Sequence, residues 1–125
     1  MQCAACNSMG RDYNYRIVVV NVSSEKITEN QVLDSTAKYD YGCGSLSPHG
    51  YAANAGPMDS PPNDVFTVRW VNALKQQQKQ VFDLRARVDR SFRGEIVFVH
   101  GADKKFAVDI VAAPNQYPVP VTPKK

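Results

Sequence analysis

Nucleophilic chemistry needs a thiol or hydroxyl held beside a base, and the chain offers three cysteines and two histidines for the purpose. Cys43 lies in Gly42-Cys43-Gly44-Ser45, and with His49 or His100 and an aspartate it could form a thiol nucleophile. The plainer reading is a small loop cysteine packed beneath Leu46. No G-x-S-x-G elbow is present to present a serine. Gly42, Gly44 and Gly50 are followed by a strand pattern rather than by a helix start with Lys-Ser or Lys-Thr, so no phosphate cradle is expected. Cys3 and Cys6 form a C-x-x-C pair, which could be half of a zinc site or a redox motif. Zinc would need a second pair of ligands, and Cys43, His49 and His100 are scattered. A redox motif would need a preceding strand that the sequence lacks. No catalytic residue, metal or cofactor is therefore expected, and a binding protein is preferred to an enzyme.

Composition sets the frame in which such a protein works. The chain has 125 residues, 43% of them hydrophobic, which suits one domain with its own core. No apolar run approaches the roughly 18 residues that cross a bilayer as a helix. The 15 basic residues exceed the 12 acidic ones by a net charge of only +3, too little to predict a nucleic-acid partner. The segment Arg85-Ala86-Arg87-Val88-Asp89-Arg90-Ser91-Phe92-Arg93 concentrates positive charge. It could meet an acidic partner or anionic headgroups, but its alternation with Ala86, Val88 and Phe92 favours a strand end with arginines facing water.

The elements that would position a site are strands. Tyr13 to Val22 is β-branched and aromatic, and its second half is apolar on both faces, which predicts a central strand. Ser23-Ser24-Glu25-Lys26 reads as a turn, Ile27 to Asp34 and Thr36 to Tyr41 as extended segments, and Gly42 to Gly50 as a loop. Tyr51 to Ala55 can be a short edge strand, and Asp64 to Val71 alternates strictly. Gly94 to His100 and Lys105 to Val111 flank a glycine-containing turn and predict a hairpin. Asn72 to Val88 has helix formers with Leu74, Val81 and Val88 at heptad spacing, yet Gln77 and Gln78 interrupt the stripe. A long hairpin loop over Asn72 to Gln80, followed by a strand, is favoured over a helix. The resulting expectation is an all-β, antiparallel, immunoglobulin-like β-sandwich of seven or eight short strands, at intervals of roughly 8 to 12 residues.

The ends differ from the body. Residues 1–12 read as a flexible tail, 13–112 as the sandwich domain, and 113–125 as a proline-rich tail with Pro118, Pro120 and Pro123. Ala4-Ala5-Cys6 resembles the cleavage point of a bacterial lipoprotein, with Cys6 as lipid acceptor and Asn7-Ser8 opening a tether. Cys3 departs from that pattern, which usually has leucine there. A longer lipoprotein precursor would place the mature protein on a periplasmic membrane face; for the sequence as it stands, the expected place is the cytoplasm.

Taken in order, Val20-Asn21-Val22-Ser23-Ser24, Lys26-Ile27-Thr28, Cys43-Gly44-Ser45-Leu46-Ser47-Pro48-His49-Gly50, Pro57-Met58-Asp59, Val68-Arg69-Trp70 and Phe92-Arg93-Gly94-Glu95-Ile96-Val97-Phe98 resemble small bacterial lipoproteins of the Tli type. The resemblance covers residues 13 to 112 and rests on turn glycines and core aromatics. It implies an immunity protein that neutralises a type VI secretion effector, a phospholipase above all, by blocking its active site or its approach to the membrane. The resemblance transfers no contact residue. A sandwich presents function on its end loops, so the expected partner-binding residues are His49, Tyr51, Asn54, Met58 and Asp59, with the Asn72 to Gln80 loop beside them. Tyr51 and Met58 are also suited to a core. The alternative is a non-catalytic envelope lipoprotein, a structural or interaction module that joins its partners by adding a strand at an open edge.

Overall fold

In the computed structural model, residues 13–53, 58 and 60–118 are described, and they form eight strands. These are β1 (Tyr15–Asn21), β2 (Ile27–Leu33), β3 (Gly44–Leu46), β4 (Tyr51–Ala53), β5 (Val65–Val71), β6 (Gln77–Asp83), β7 (Gly94–His100) and β8 (Phe106–Ala112). They pair into two four-stranded sheets, β4-β1-β7-β8 and β3-β2-β5-β6, which make the expected all-β sandwich. The pairing departs from a purely antiparallel one in β1 and β7, which run parallel over their whole length from Tyr15 beside Gly94 to Asn21 beside His100. Cys3, Cys6, Asn54, Asp59 and the run from Val119 lie outside the described residues.

Strand period decides which side chains meet between the sheets. Tyr15, Ile17 and Val19 of β1 and Ile96 and Phe98 of β7 point inward, against Phe66, Val68 and Trp70 of β5. Phe66 meets Phe98 edge-on at 6.1 Å between ring centres, and Trp70 meets Phe106 at 4.8 Å. Each such fully buried side chain contributes about 1.5–3 kcal/mol to the drive for burial. Two buried tyrosine hydroxyls are paired, whereas Trp70 Nε1 and His100 Nδ1 are buried without a hydrogen-bond partner among the described residues. The Tyr15 hydroxyl donates to the Ser60 carbonyl at 2.7 Å, and the Tyr41 hydroxyl bonds the Ser60 hydroxyl at 2.8 Å. Burial pushes the Tyr15 phenol well above its ordinary pKa, the Ser60 bond opposing the shift in part.

As anticipated, β1 is central and apolar on both faces. Val18 and Val20 point away from the sandwich core and cluster with Val97, and Val22, Val99, Val111 and Tyr117 pack around them. This second apolar face is covered in part by the chain after β8, which is not a free tail over its described length: Ala113 N–H donates to Arg93 C=O, and Tyr117 N–H donates to a Glu95 carboxylate oxygen at 2.8 Å.

Four local expectations need correcting. The run Gly42 to Gly50 holds strand β3, because Leu46 and Gly44 pair with Ile27 and Asn30 across a bulge in β2. Thr36 to Tyr41 forms no strand. Asp34 captures the Thr36 hydroxyl and the Lys38 N–H, which bends the chain there. The supposed long loop from Asn72 to Gln80 is a tight turn, its Asn72 side chain accepting the N–H groups of Leu74 and Gln76, and β6 starts at Gln77. The Arg85 to Arg93 segment is a succession of turns anchored by buried Leu84 and Val88 rather than a strand end.

Candidate functional site

The sheet face turned away from the core carries a broad groove with mixed polar and apolar walls. β1 contributes Arg16 and Val18, and the antiparallel neighbour β4 places Ala53 opposite Val18 and Tyr51 opposite Val20. Glu95 of β7, Gln116 and Tyr117 form the remaining wall of a volume of about 740 Å³. Parallel register sets Arg16 beside Glu95, and their side chains form an ion pair. The Glu95 carboxylate is nearly buried and also accepts the Tyr117 N–H, so one side chain fixes the arginine and the C-terminal wall together. Tyr51 is 55% exposed at the rim, an unusual position for a ring that gains by burial. The arrangement is a mixed surface of aromatic, aliphatic and charged side chains on hydrogen-bonded strands. Chemically it offers apolar contact, two phenol rings and a charged pair to a bound partner.

The expected partner-binding residues separate accordingly. His49 is exposed in the turn between β3 and β4, held by its own N–H to Asn21 C=O at 2.6 Å, two residues before Tyr51. These two share one corner. Met58 is corrected: it is 3% exposed, its N–H bonds Tyr13 C=O, and its thioether belongs to the core, so it has no surface to offer. Asn54 and Asp59 are outside the described residues. Arg16, Glu95 and Tyr117 were not anticipated. The one available signal was the double-sided apolar pattern of β1, which requires a second surface to be covered.

The groups considered for nucleophilic chemistry lie in separate environments. Cys43 donates its thiol to Asn30 Oδ1 at 3.3 Å, and Asn30 also accepts the Cys43 N–H. Burial pushes the thiol pKa up, and the nearby Asp40 carboxylate adds to the effect. His100 is fully buried and bonds Glu25 at 2.9 Å. No hydrogen bond among the described residues joins Cys43 to either histidine. In the native protein at pH 7, Cys43 should therefore resist iodoacetamide, and it should react readily in urea. Peptide mapping by mass spectrometry checks this; fast native labelling at Cys43 would restore the thiol-enzyme reading.

Among the described residues, no three His, Cys, Asp or Glu side chains gather as metal ligands. No family model and no curated protein matches the chain. A solved structure, the NMR structure of a protein from Eubacterium rectale, is similar to it with a TM-score of 0.54 at 12% identity, covering 86% of this chain and 98% of that one. At that identity the likeness establishes the fold alone.

Proposed function

We propose that this chain is a non-catalytic protein-binding module that acts as an immunity protein, neutralising a cognate type VI secretion effector of the phospholipase kind by occluding its active site or its membrane approach. The observation that carries the binding part is the exposed Tyr51 ring at the rim of a groove of about 740 Å³. Exposed aromatic side chains are among the residues that most often anchor protein interfaces. The resemblance of residues 13 to 112 to Tli-type lipoproteins supports the choice of partner. In this reading Cys6 carries the lipid, and the module stands on the periplasmic face where the effector arrives.

The test is co-expression with candidate type VI secretion phospholipase effectors of the source bacterium, directed to the periplasm. The chain should restore growth and bind the effector tightly. Tyr51→Ala should weaken that binding at least about 30-fold, as expected for an aromatic interface anchor worth ~2 kcal/mol. The folded state should be unaffected, since the ring is exposed. Absence of binding by the wild-type chain would overturn the immunity reading. Undiminished affinity of Tyr51→Ala would remove the groove from it.

A further inference from the structure

The β6 side of the sandwich carries a second feature, on a different face from the groove and independent of the reading built on it. β6 is the outer strand of its sheet. Its pairing with β5 is bounded by two backbone bonds, Asn72 N–H to Gln76 C=O at 3.0 Å and Leu84 N–H to Asp64 C=O at 2.9 Å. Antiparallel bonds fall on alternate pairs, so between these limits the ladder is made by Gln78, Gln80 and Phe82 with Trp70, Val68 and Phe66. The N–H and C=O groups of Gln77, Lys79, Val81 and Asp83 must face away from β5. No backbone bond among the described residues takes them. The side chains at these positions are exposed too, Val81 to 60%.

The facing sheet shows what covering such an edge looks like. The Gln80 side-chain amide donates to Phe106 C=O at 2.9 Å and accepts Phe106 N–H at 2.7 Å, closing the first residue of β8 as a paired strand would. β6 receives no equivalent cap among the described residues. Beside it, between β6 and the turn after β7, lies a cleft of about 410 Å³ whose walls include Lys79, Lys104 and Lys105. The carboxylates nearby are engaged: Asp83 holds Arg85 at 2.7 Å, and Asp103 accepts the Lys105 N–H at 3.1 Å. None of the three lysines has an ion-pair partner among the described residues.

We propose that β6 is a docking edge for an acidic extended segment of another protein, which adds as a further strand with carboxylates against Lys79, Lys104 and Lys105. Strand addition supplies main-chain bonds, and alternate side chains supply selectivity. A second copy of this chain fits poorly, because pairing β6 with β6 brings its lysines together; an edge lysine is a common device against that self-pairing. A basic segment meets the same repulsion, and an acidic one relieves it.

The test is NMR titration of the ¹⁵N-labelled chain with a soluble peptide of about eight alternating glutamate and threonine residues, and with its lysine counterpart. The acidic peptide should shift the amides of Gln77, Lys79 and Val81 and slow their exchange with solvent. Combined Lys79→Glu and Lys104→Glu substitution should weaken it about tenfold or more. Val81→Pro, which removes one outward N–H and none of the bonds to β5, should abolish the slowing while the β5 amides stay protected. Tyr51→Ala should change nothing. No shift at about 1 mM peptide, the weak end of recognition, would overturn the proposal. So would equal binding of the lysine peptide, or shifts confined to Lys104 and Lys105 that inorganic phosphate reproduces, which would reduce the feature to a simple anion site.

Discussion

Gly94→Ala is expected to remove about 3 to 5 kcal/mol of folding stability, a large share of what a domain of this size holds. Gly94 opens β7 with φ at +144°, a region that is essentially reserved for glycine. A Cβ there would lie 2.1 Å from Val111 O and 2.9 Å from Ala112 Cα, so the clash is with backbone that no side-chain rotation can relieve. Adopting that φ costs about 1 to 3 kcal/mol, and forced displacement in a packed strand adds a similar amount. Gly94 pairs with Tyr15 on one side and Ala112 on the other, so any shift passes into both neighbouring strands. The next residue is Glu95, which holds Arg16 and Tyr117, so binding at the groove should suffer with stability. Gly44→Ala is the internal comparison. Its φ is +77°, but nothing lies within 4 Å of the added carbon, so only the conformational cost of about 1 kcal/mol should appear. Guanidinium denaturation of the two variants checks the contrast; equal midpoints would refute the steric account.

The parts of the fold readable from the sequence are those in which alternation runs undisturbed. β1, β5 and the β7–β8 hairpin carry regular apolar positions, and each lies where the pattern puts it. β6 was obscured because Gln78 and Gln80 occupy inward positions that normally hold apolar residues. Gln80 is tolerated there because its amide finds the Phe106 backbone, a contact no local pattern announces. β3 is only three residues long and contains Gly44 and Ser45, so it exists through its pairing with β2 and not through propensity. The candidate site divides in the same way. Tyr51 was legible as an aromatic on a short edge strand. Met58 could not be sorted, since a thioether suits a core as well as an interface. Arg16 and Glu95 are 79 positions apart, and only the parallel register of β1 and β7 brings them together.

His100→Ala should be about as damaging as Gly94→Ala, for an electrostatic reason. His100 is fully enclosed beneath Trp70 and Phe106, whose rings stand 5.6 Å and 4.9 Å from its own. Its Nε2 bonds Glu25, whose other carboxylate oxygen accepts the Ala73 N–H at 3.3 Å. Removing the imidazole leaves a largely buried carboxylate without its main partner and opens space between two aromatic rings. Breaking a buried pair in this way costs about 3 to 5 kcal/mol. His100→Phe fills the space that His100→Ala opens, with a somewhat larger ring, and still leaves Glu25 without its partner, so the difference between the two variants measures the cavity contribution. Adding Glu25→Leu to His100→Phe should recover part of the loss, because an apolar pair leaves no stranded charge. The same pair sets a dependence on acid. Burial pushes the Glu25 carboxyl up, but the bond from His100, the Ala73 N–H and the charge of Lys104 outweigh it, and the net value lies below the ordinary 4.5. A carboxyl lowered by folding stabilises the native state above its unfolded pKa, and that contribution disappears as pH falls through the folded value. The stability difference between wild type and Glu25→Gln should therefore be full above about pH 4.5 and should shrink on acidification. Urea titrations of both proteins at stepwise lower pH measure it; a difference that stays constant with pH would show that Glu25 stabilises the fold by its shape and bonds alone, and not by its charge.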